Sequence, residues 1–331
     1  GCNASQKAAV EAALTHQISV IQGPPGTGKT QTILNIIANL LLADKTVLVV
    51  SNNNSAVENV AEKLAGESLD FIVAKLGSVQ NKEAFIANQP NYPEMSGWVI
   101  EEEPVRQQAQ NSLHTTTQGF DAQTRQAQLK AEYDALLKEA KYNDMLQQKS
   151  VGKEWLNDKC SSKLMKLLNL YQLKIEDKTK PDIWFRLKWT FSLGMRMFSF
   201  LGGKPSDVVA GLESAYYFSR KTEIEQELDA IATTLQTIDI KRCMVELRSA
   251  SLLVLKSRIA KWYQGSERRK FSTKDIKPKT EEFLKEYPVV LSTTYSAKSC
   301  ISKDMVFDYV IMDEASQVDI KTGTLALSCA V

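Results

Sequence analysis

Eight consecutive residues carry the plainest chemistry in this sequence. Gly23-Pro24-Pro25-Gly26-Thr27-Gly28-Lys29-Thr30 fits the G-x-x-x-x-G-K-[ST] pattern of a phosphate-binding loop. The glycines let backbone N–H groups turn inward around phosphate oxygens, and a following helix points its N-terminus at the same charge. Lys29 is expected to reach the β- and γ-phosphates of a nucleotide, and the Thr30 hydroxyl to ligate Mg²⁺. A second group supplies the carboxylates such a site needs. The apolar run Tyr309–Met312 ends in Asp313-Glu314. Asp313 would hold Mg²⁺ and Glu314 would polarise the attacking water, both at the carboxyl end of a strand, where ligands bind in open α/β sheets.

These residues need a scaffold, and the flanks of the chain read as one. Ile18–Gln22 reads as a short apolar strand before the loop, and a helix is expected from about Thr30 to Leu42. Thr46–Ser51 reads as a second strand, followed by a helix over Ala56–Leu64, with Phe71–Leu76 as a possible third strand. Val289–Thr294 and Tyr309–Met312 add two more β-rich runs. Continuous apolar strands alternating with helices imply an α/β fold, a parallel sheet covered on both faces.

The middle has a different composition. Val105–Gln148 and Leu212–Trp262 are poor in Gly and Pro and rich in Gln, Lys, Glu, Leu and Ala. Ile224, Leu228, Ile231, Leu235 and Ile238 are spaced 4-3-4-3, and Leu129, Tyr133, Leu136 and Ala140 repeat the spacing on the other arm. We expect an inserted helical hairpin or small bundle. The boundaries implied are 1–100 for the first part of the nucleotide lobe, 101–284 for the insertion and 285–331 for the second part. Residues 182–203 between the arms place apolar residues at every odd position from Phe185 to Met197, which suits a strand, while their Met and Leu content permits a helix.

Composition closes off other classes. The 331 residues are 43% hydrophobic and 24% charged, proportions of a globular chain rather than a fibrous or disordered one. Its longest apolar stretch, Ile33–Ala43, falls short of a membrane span, and no secretory signal opens the chain, so no membrane partner is expected. Five scattered cysteines and two histidines argue against a disulfide framework, a zinc site or a histidine-based triad, and favour a reducing compartment. The net charge of +2 hides a basic middle between acidic flanks. Nine Lys/Arg crowd into residues 256–279, interleaved with Trp262, Tyr263 and Phe271. Backbone neutralisation plus base stacking is how single strands are bound without sequence preference, so Arg268, Arg269 and Lys270 are candidate nucleic-acid contacts; a solvated basic linker is the alternative.

Five segments in order resemble the motifs of superfamily 1B helicases, the group containing the nonsense-mediated-decay RNA helicase and senataxin: CNASQKAAVEAAL, ISVIQGPPGTGKTQTI, VLVVSNNNSAVENV, VVLSTTYSAK and VIMDEASQ. The resemblance covers about 1–76 and 285–328 and leaves the insertion unmatched. It implies a RecA-like lobe of an ATP-dependent 5′→3′ helicase or translocase, cytoplasmic or, in a bacterium, nucleoid-associated. Gln6 matches the glutamine that reads adenine, which makes ATP the expected nucleotide. Asn53 and Asn54 fall where nucleic-acid phosphates are contacted, with Asn52 in place of the family's proline and Asn53 in place of its serine. Thr293 and Thr294 match a second strand-facing pair, and Gln317 matches a glutamine that senses the γ-phosphate. For Ser51–Ser55 helix capping competes with strand contact, because Asn and Ser are favoured N-caps.

Such helicases bind ATP between two lobes, and a second RecA-like lobe beyond residue 331 is the implied partner. The chain starts with Gly1 rather than Met, and residues 1–331 alone are expected to bind nucleotide weakly and hydrolyse it poorly, lacking the second lobe's arginine. The competing readings are another P-loop ATPase, such as a protein-remodelling one, and a nucleotide-gated scaffold that docks a protein through the helical arm. Single-stranded DNA and RNA are not distinguished.

Overall fold

The structure, a computed structural model, describes residues 3–24, 26–146 and 154–331; the side chains of Asn54, 143–146 and Glu154 are excluded. The chain divides into two compact units, Gly1–His114 with Lys241–Val331, and Thr115–Ile240. Residues 101–114 and 241–284, which share the composition of the middle, therefore fall within the first unit.

The first unit holds α1 (Ala4–Thr15), α2 (Lys29–Leu42), β1 (Val47–Ser51), α3 (Asn54–Ala65), β2 (Val73–Lys75) and α4 (Val79–Ala87). Helix α5 (Glu102–Leu146) starts in it and runs on into the second unit. The second unit contains α6 (Ser161–Glu176), α7 (Ile183–Leu193), α8 (Arg196–Phe200) and α9 (Pro205–Thr237). The chain then continues through α10 (Ile240–Tyr263), α11 (Thr280–Glu286), β3 (Val289–Thr293), β4 (Tyr309–Met312) and α12 (Ile320–Leu327).

Four parallel strands form one sheet in the order β2-β3-β1-β4. All five residues of β1 are buried. Val47 and Val49 join a core with α2 and α3, while Leu48 and Val50 join a second core with Phe283, Tyr287 and Phe307. This double burial is why the strand reads as an unbroken apolar run. Helix α2 supplies Ile33, Ile36, Ile37, Leu40 and Leu41, the i, i+3, i+4, i+7, i+8 stripe of one helix face. At the other end of the ladder, Asp308 accepts hydrogen bonds from Thr46 N and Oγ1, each at 2.8 Å, and from Lys45 Nζ at 3.0 Å. Burial opposes its charge, yet these donors hold its carboxyl below the usual range. They pin the starts of β1 and β4 together, so that Met312 pairs with Val50 and Asp313 follows at the sheet's carboxyl edge.

One expected strand is not formed. Among the described residues Ile18–Gln22 has no sheet partner, and Ile18 and Val20 are 79% and 84% exposed. A strand exists only through a neighbour, and among the described residues β4 is bonded to β1 alone, its other edge open.

In the second unit the 4-3 seam packs as a helix pair: Leu129, Tyr133 and Leu136 of α5 meet Ile224, Leu228 and Ile231 of α9. Residues 182–203 form no strand but the two helices α7 and α8. Asp182 caps α7 by accepting from Phe185 N at 2.8 Å. A two-residue step on a helix turns 200°, so alternate odd positions land on opposite sides. Trp189 and Leu193 of α7 are accordingly buried and Phe191 faces solvent; Gly194 then ends the helix, Met195 is exposed in the turn and Met197 of α8 is buried.

Candidate active site

The phosphate loop is built as its sequence requires. Gly26 and Gly28 both have φ of +83°, the left-handed region that side chains disfavour. A Cβ on Gly28 would also stand 2.4 Å from Gln6 Nε2. Thr27 folds back on Pro24, its N and Oγ1 donating to the Pro24 carbonyl at 3.3 and 2.8 Å. Gly28 is the N-cap of α2, and neither the Lys29 nor the Thr30 side chain is bonded to another of the described residues. Lys29 is exposed and Thr30 half-buried. Pro25 lies outside the described residues.

Gln6 belongs to this loop. Its Nε2 donates to the carbonyls of Thr27 at 2.9 Å and Gly28 at 3.4 Å, while its Oε1 accepts from Asn3 N at 3.0 Å in a capping box for α1. A carboxamide has two donor hydrogens and two acceptor lone pairs; with both donors turned to the loop and one lone pair to Asn3, one acceptor is left for an adenine amino group.

The second group collects at the carboxyl ends of β1, β3 and β4. Asp313 N donates to Val50 O at 2.8 Å, and Asp313 Oδ1 accepts from Glu314 N at 2.9 Å. Both carboxylates are half-buried. Glu314 has φ of +53°, a left-handed conformation that costs a non-glycine residue about 1–3 kcal/mol and that clusters at functional sites. Gln317 is exposed on the turn that follows, and its carbonyl accepts from Asn52 Nδ2 at 2.8 Å. Among the described residues no hydrogen bond joins Lys29 or Thr30 to Asp313 or Glu314.

The expected strand contacts fare unevenly. Asn53 caps α3, its Oδ1 accepting from Ser55 N at 3.0 Å, as the capping alternative requires; the Asn54 side chain lies outside the described set. Thr293 is half-buried and donates to Gly77 O at 3.3 Å. Thr294 is fully buried, and its hydroxyl donates to Asn52 Oδ1. The sequence marks Asn52 only as a residue in place of a proline, not as a bridging one, and it gives no role to Tyr295, which is 82% exposed just past β3. An aromatic immediately after a strand-facing pair was the available signal for Tyr295.

The basic stretch requires a correction. Arg268 does not face solvent: its side chain is 6% exposed and pairs with Glu286 at 2.9 Å. It also donates to Phe71 O at 2.5 Å and lies 4.8 and 4.3 Å from the Tyr92 and Tyr287 rings. Burial, with Glu286 beside it, pushes the Tyr92 hydroxyl up to about 12. The interleaved aromatics are packing residues too, with Tyr263 and Phe271 buried and Trp262 donating to Asp44 at 3.0 Å. Arg269 is exposed and pairs with Glu282 at 2.7 Å; Lys270 is exposed.

The chain matches the AAA_11 family, described as an AAA domain, over residues 1–320. It belongs to that family. Relatives of the AAA_11 chain agree with the helicase resemblance of its motifs. It is 42% identical over 71 residues to the DNA polymerase alpha-associated DNA helicase A of Schizosaccharomyces pombe, covering 21% of this chain and 11% of that protein. It is 48% identical over 71 residues to the Regulator of nonsense transcripts 1 of Caenorhabditis elegans, 21% of this chain and 7% of the relative. With the ATP-dependent helicase NAM7 of Saccharomyces cerevisiae it shares 38% over 87 residues, 26% and 9% of the two lengths. The matched stretch is thus about a tenth of each relative.

The donor set of the AAA_11 chain suits magnesium. A threonine hydroxyl and a carboxylate are hard oxygen ligands, and Mg²⁺ commonly takes one or two such side chains plus substrate phosphates. Among the described residues no cluster of three or more His, Cys, Asp or Glu offers an all-protein metal cage. No helix among them is long and apolar enough to cross a membrane.

Proposed function

We propose that residues 1–100 and 285–331 contribute the first ATP-binding lobe of an ATP-dependent helicase or translocase acting on single-stranded nucleic acid in the cytoplasm. The observation that carries this reading is the phosphate loop: two glycines in the left-handed region, the free start of α2 and Lys29 beside it. In this reading Gly23–Thr30 wrap the phosphates, Lys29 neutralises the β- and γ-oxygens, and Gln6 selects adenine. Thr30 and Asp313 would hold Mg²⁺, which supplies charge to offset the transferring phosphoryl group. Glu314 orients and deprotonates the attacking water, and Gln317 reports the γ-phosphate to a second RecA-like lobe. The half-burial of both carboxylates at the sheet's carboxyl edge supports those roles. Thr293 and Thr294 at the end of β3, with Asn53 and Asn54 at the start of α3, form the edge along which the strand would run, and exposed Lys270 and Arg269 are further candidates for its backbone.

The test is steady-state ATP hydrolysis by the full-length protein, with and without single-stranded DNA and RNA. Stimulation by one polymer, abolished by Glu314→Gln, is expected and names the track. Robust hydrolysis indifferent to both polymers would overturn the helicase reading and leave a different ATPase.

A further inference from the structure

Strand β1 has parallel neighbours on both sides, so the residue that follows it lies between the ends of β3 and β4. That residue is Asn52, exposed itself but bonded to both sides. Its Oδ1 accepts the hydroxyl proton of Thr294 beyond β3, and its Nδ2 donates to the Gln317 carbonyl at 2.8 Å beyond β4. Backbone bonds from Thr294 N to Ser51 O at 3.3 Å and from Asp313 N to Val50 O at 2.8 Å keep the three strand ends level. A carboxamide can bridge in this way because donor and acceptor sit on one planar group; the proline of the resembled family offers neither.

We propose that Asn52 is a positioning residue that couples strand occupancy to the phosphate-sensing turn, an inference that rests on the helicase reading above. The Thr294 hydroxyl has a single proton to donate. It can serve Asn52 or a backbone phosphate of the strand, but not both at once. Thr294 is fully buried with its hydroxyl committed to Asn52, so in this coupling a phosphate takes that proton only when the amide lets go. The same movement removes Nδ2 from the Gln317 carbonyl and frees the turn that carries Gln317, one residue after Ser316 and three after Glu314. With no strand bound, the amide closes both bonds and holds the turn in its resting place.

The test compares ATP turnover of the full-length protein without polymer and with saturating poly(dT) or poly(U). Asn52→Ala should shrink the ratio of stimulated to unstimulated rate on the order of tenfold, a common size for coupling between two sites. Thr294→Val, nearly isosteric in its buried site, should shrink the ratio similarly, and the double variant should go no further. Asn52→Asp, which keeps an acceptor for Thr294 but loses the donor to Gln317, should behave as Asn52→Ala does. A purely structural role would lower both rates together and preserve their ratio. An undiminished ratio in both Asn52→Ala and Thr294→Val overturns the coupling while leaving the helicase reading intact. A wild-type protein unmoved by either polymer overturns that reading, and the coupling with it.

Discussion

Lys29 and Arg268 look alike to a count of charges and are opposites in the fold. Lys29 is exposed at the mouth of a backbone loop, and its ammonium is bonded to none of the described residues. Arg268 is buried between two tyrosine rings and bonded to a carboxylate and a carbonyl. The difference teaches where to look for binding chemistry. A cation that serves the fold is paired by its own chain, as the Arg268 guanidinium is at both terminal nitrogens although its buried Nε stays unbonded; one that serves a ligand is placed by backbone and left unpaired. Spacing separates the two, because the loop pattern constrains glycine conformation around Lys29. Local charge density does not.

Substitution should split the pair along different axes. Lys29→Ala should cut ATP hydrolysis by at least 10²–10³-fold, the scale for losing one group that stabilises developing charge. Its unfolding free energy should move by less than about 0.5 kcal/mol, as for an exposed site away from special features. Arg268→Ala should do the reverse and destabilise the first unit by about 3–5 kcal/mol, because it strands the Glu286 carboxylate inside the fold. Denaturant titration of the two variants reads both values. Arg269→Ala is the internal control. Its partner Glu282 is 49% exposed, so the loss should stay within about 1 kcal/mol. Equal destabilisation at positions 268 and 269 would dissolve the contrast.

Much of the sheet was legible because burial on both faces writes itself into the residues. Val47–Ser51, Val289–Thr293 and Tyr309–Met312 are strands within a residue of expectation, and α2 starts at Lys29. Ile18–Gln22 has the same apolar character and forms none, since its state depends on a neighbouring strand that its own residues do not encode. Residues 183–193 alternate like a strand and are a helix, since what decides is the Asp182 cap and the side on which α6 and α9 pack. The site divides the same way. The loop and the Asp313-Glu314 pair follow from pattern, whereas the bridging role of Asn52 depends on β3 and β4 flanking β1, a topology that no local window contains.

Tyr295 gives the contrast its finest edge, because it is an exposed aromatic beside a proposed strand path where Tyr263 and Phe271 are buried ones. At 82% exposure past the end of β3, Tyr295 is open to stack on a base, and stacking on one aromatic is worth about 1–3 kcal/mol per base. Tyr295→Ala should therefore weaken binding of a fluorescent oligo(dT) or oligo(U) by about five- to a hundredfold, by anisotropy, while Tyr295→Phe retains most of it. Stacking neutralises no phosphate, so the slope of log affinity against log salt should not change in Tyr295→Ala. Charge reversal at Lys270 should lower that slope if the exposed lysine meets the backbone. Unchanged affinity in Tyr295→Ala would mean that exposure at a strand end does not suffice, and that the strand passes this edge without touching the ring.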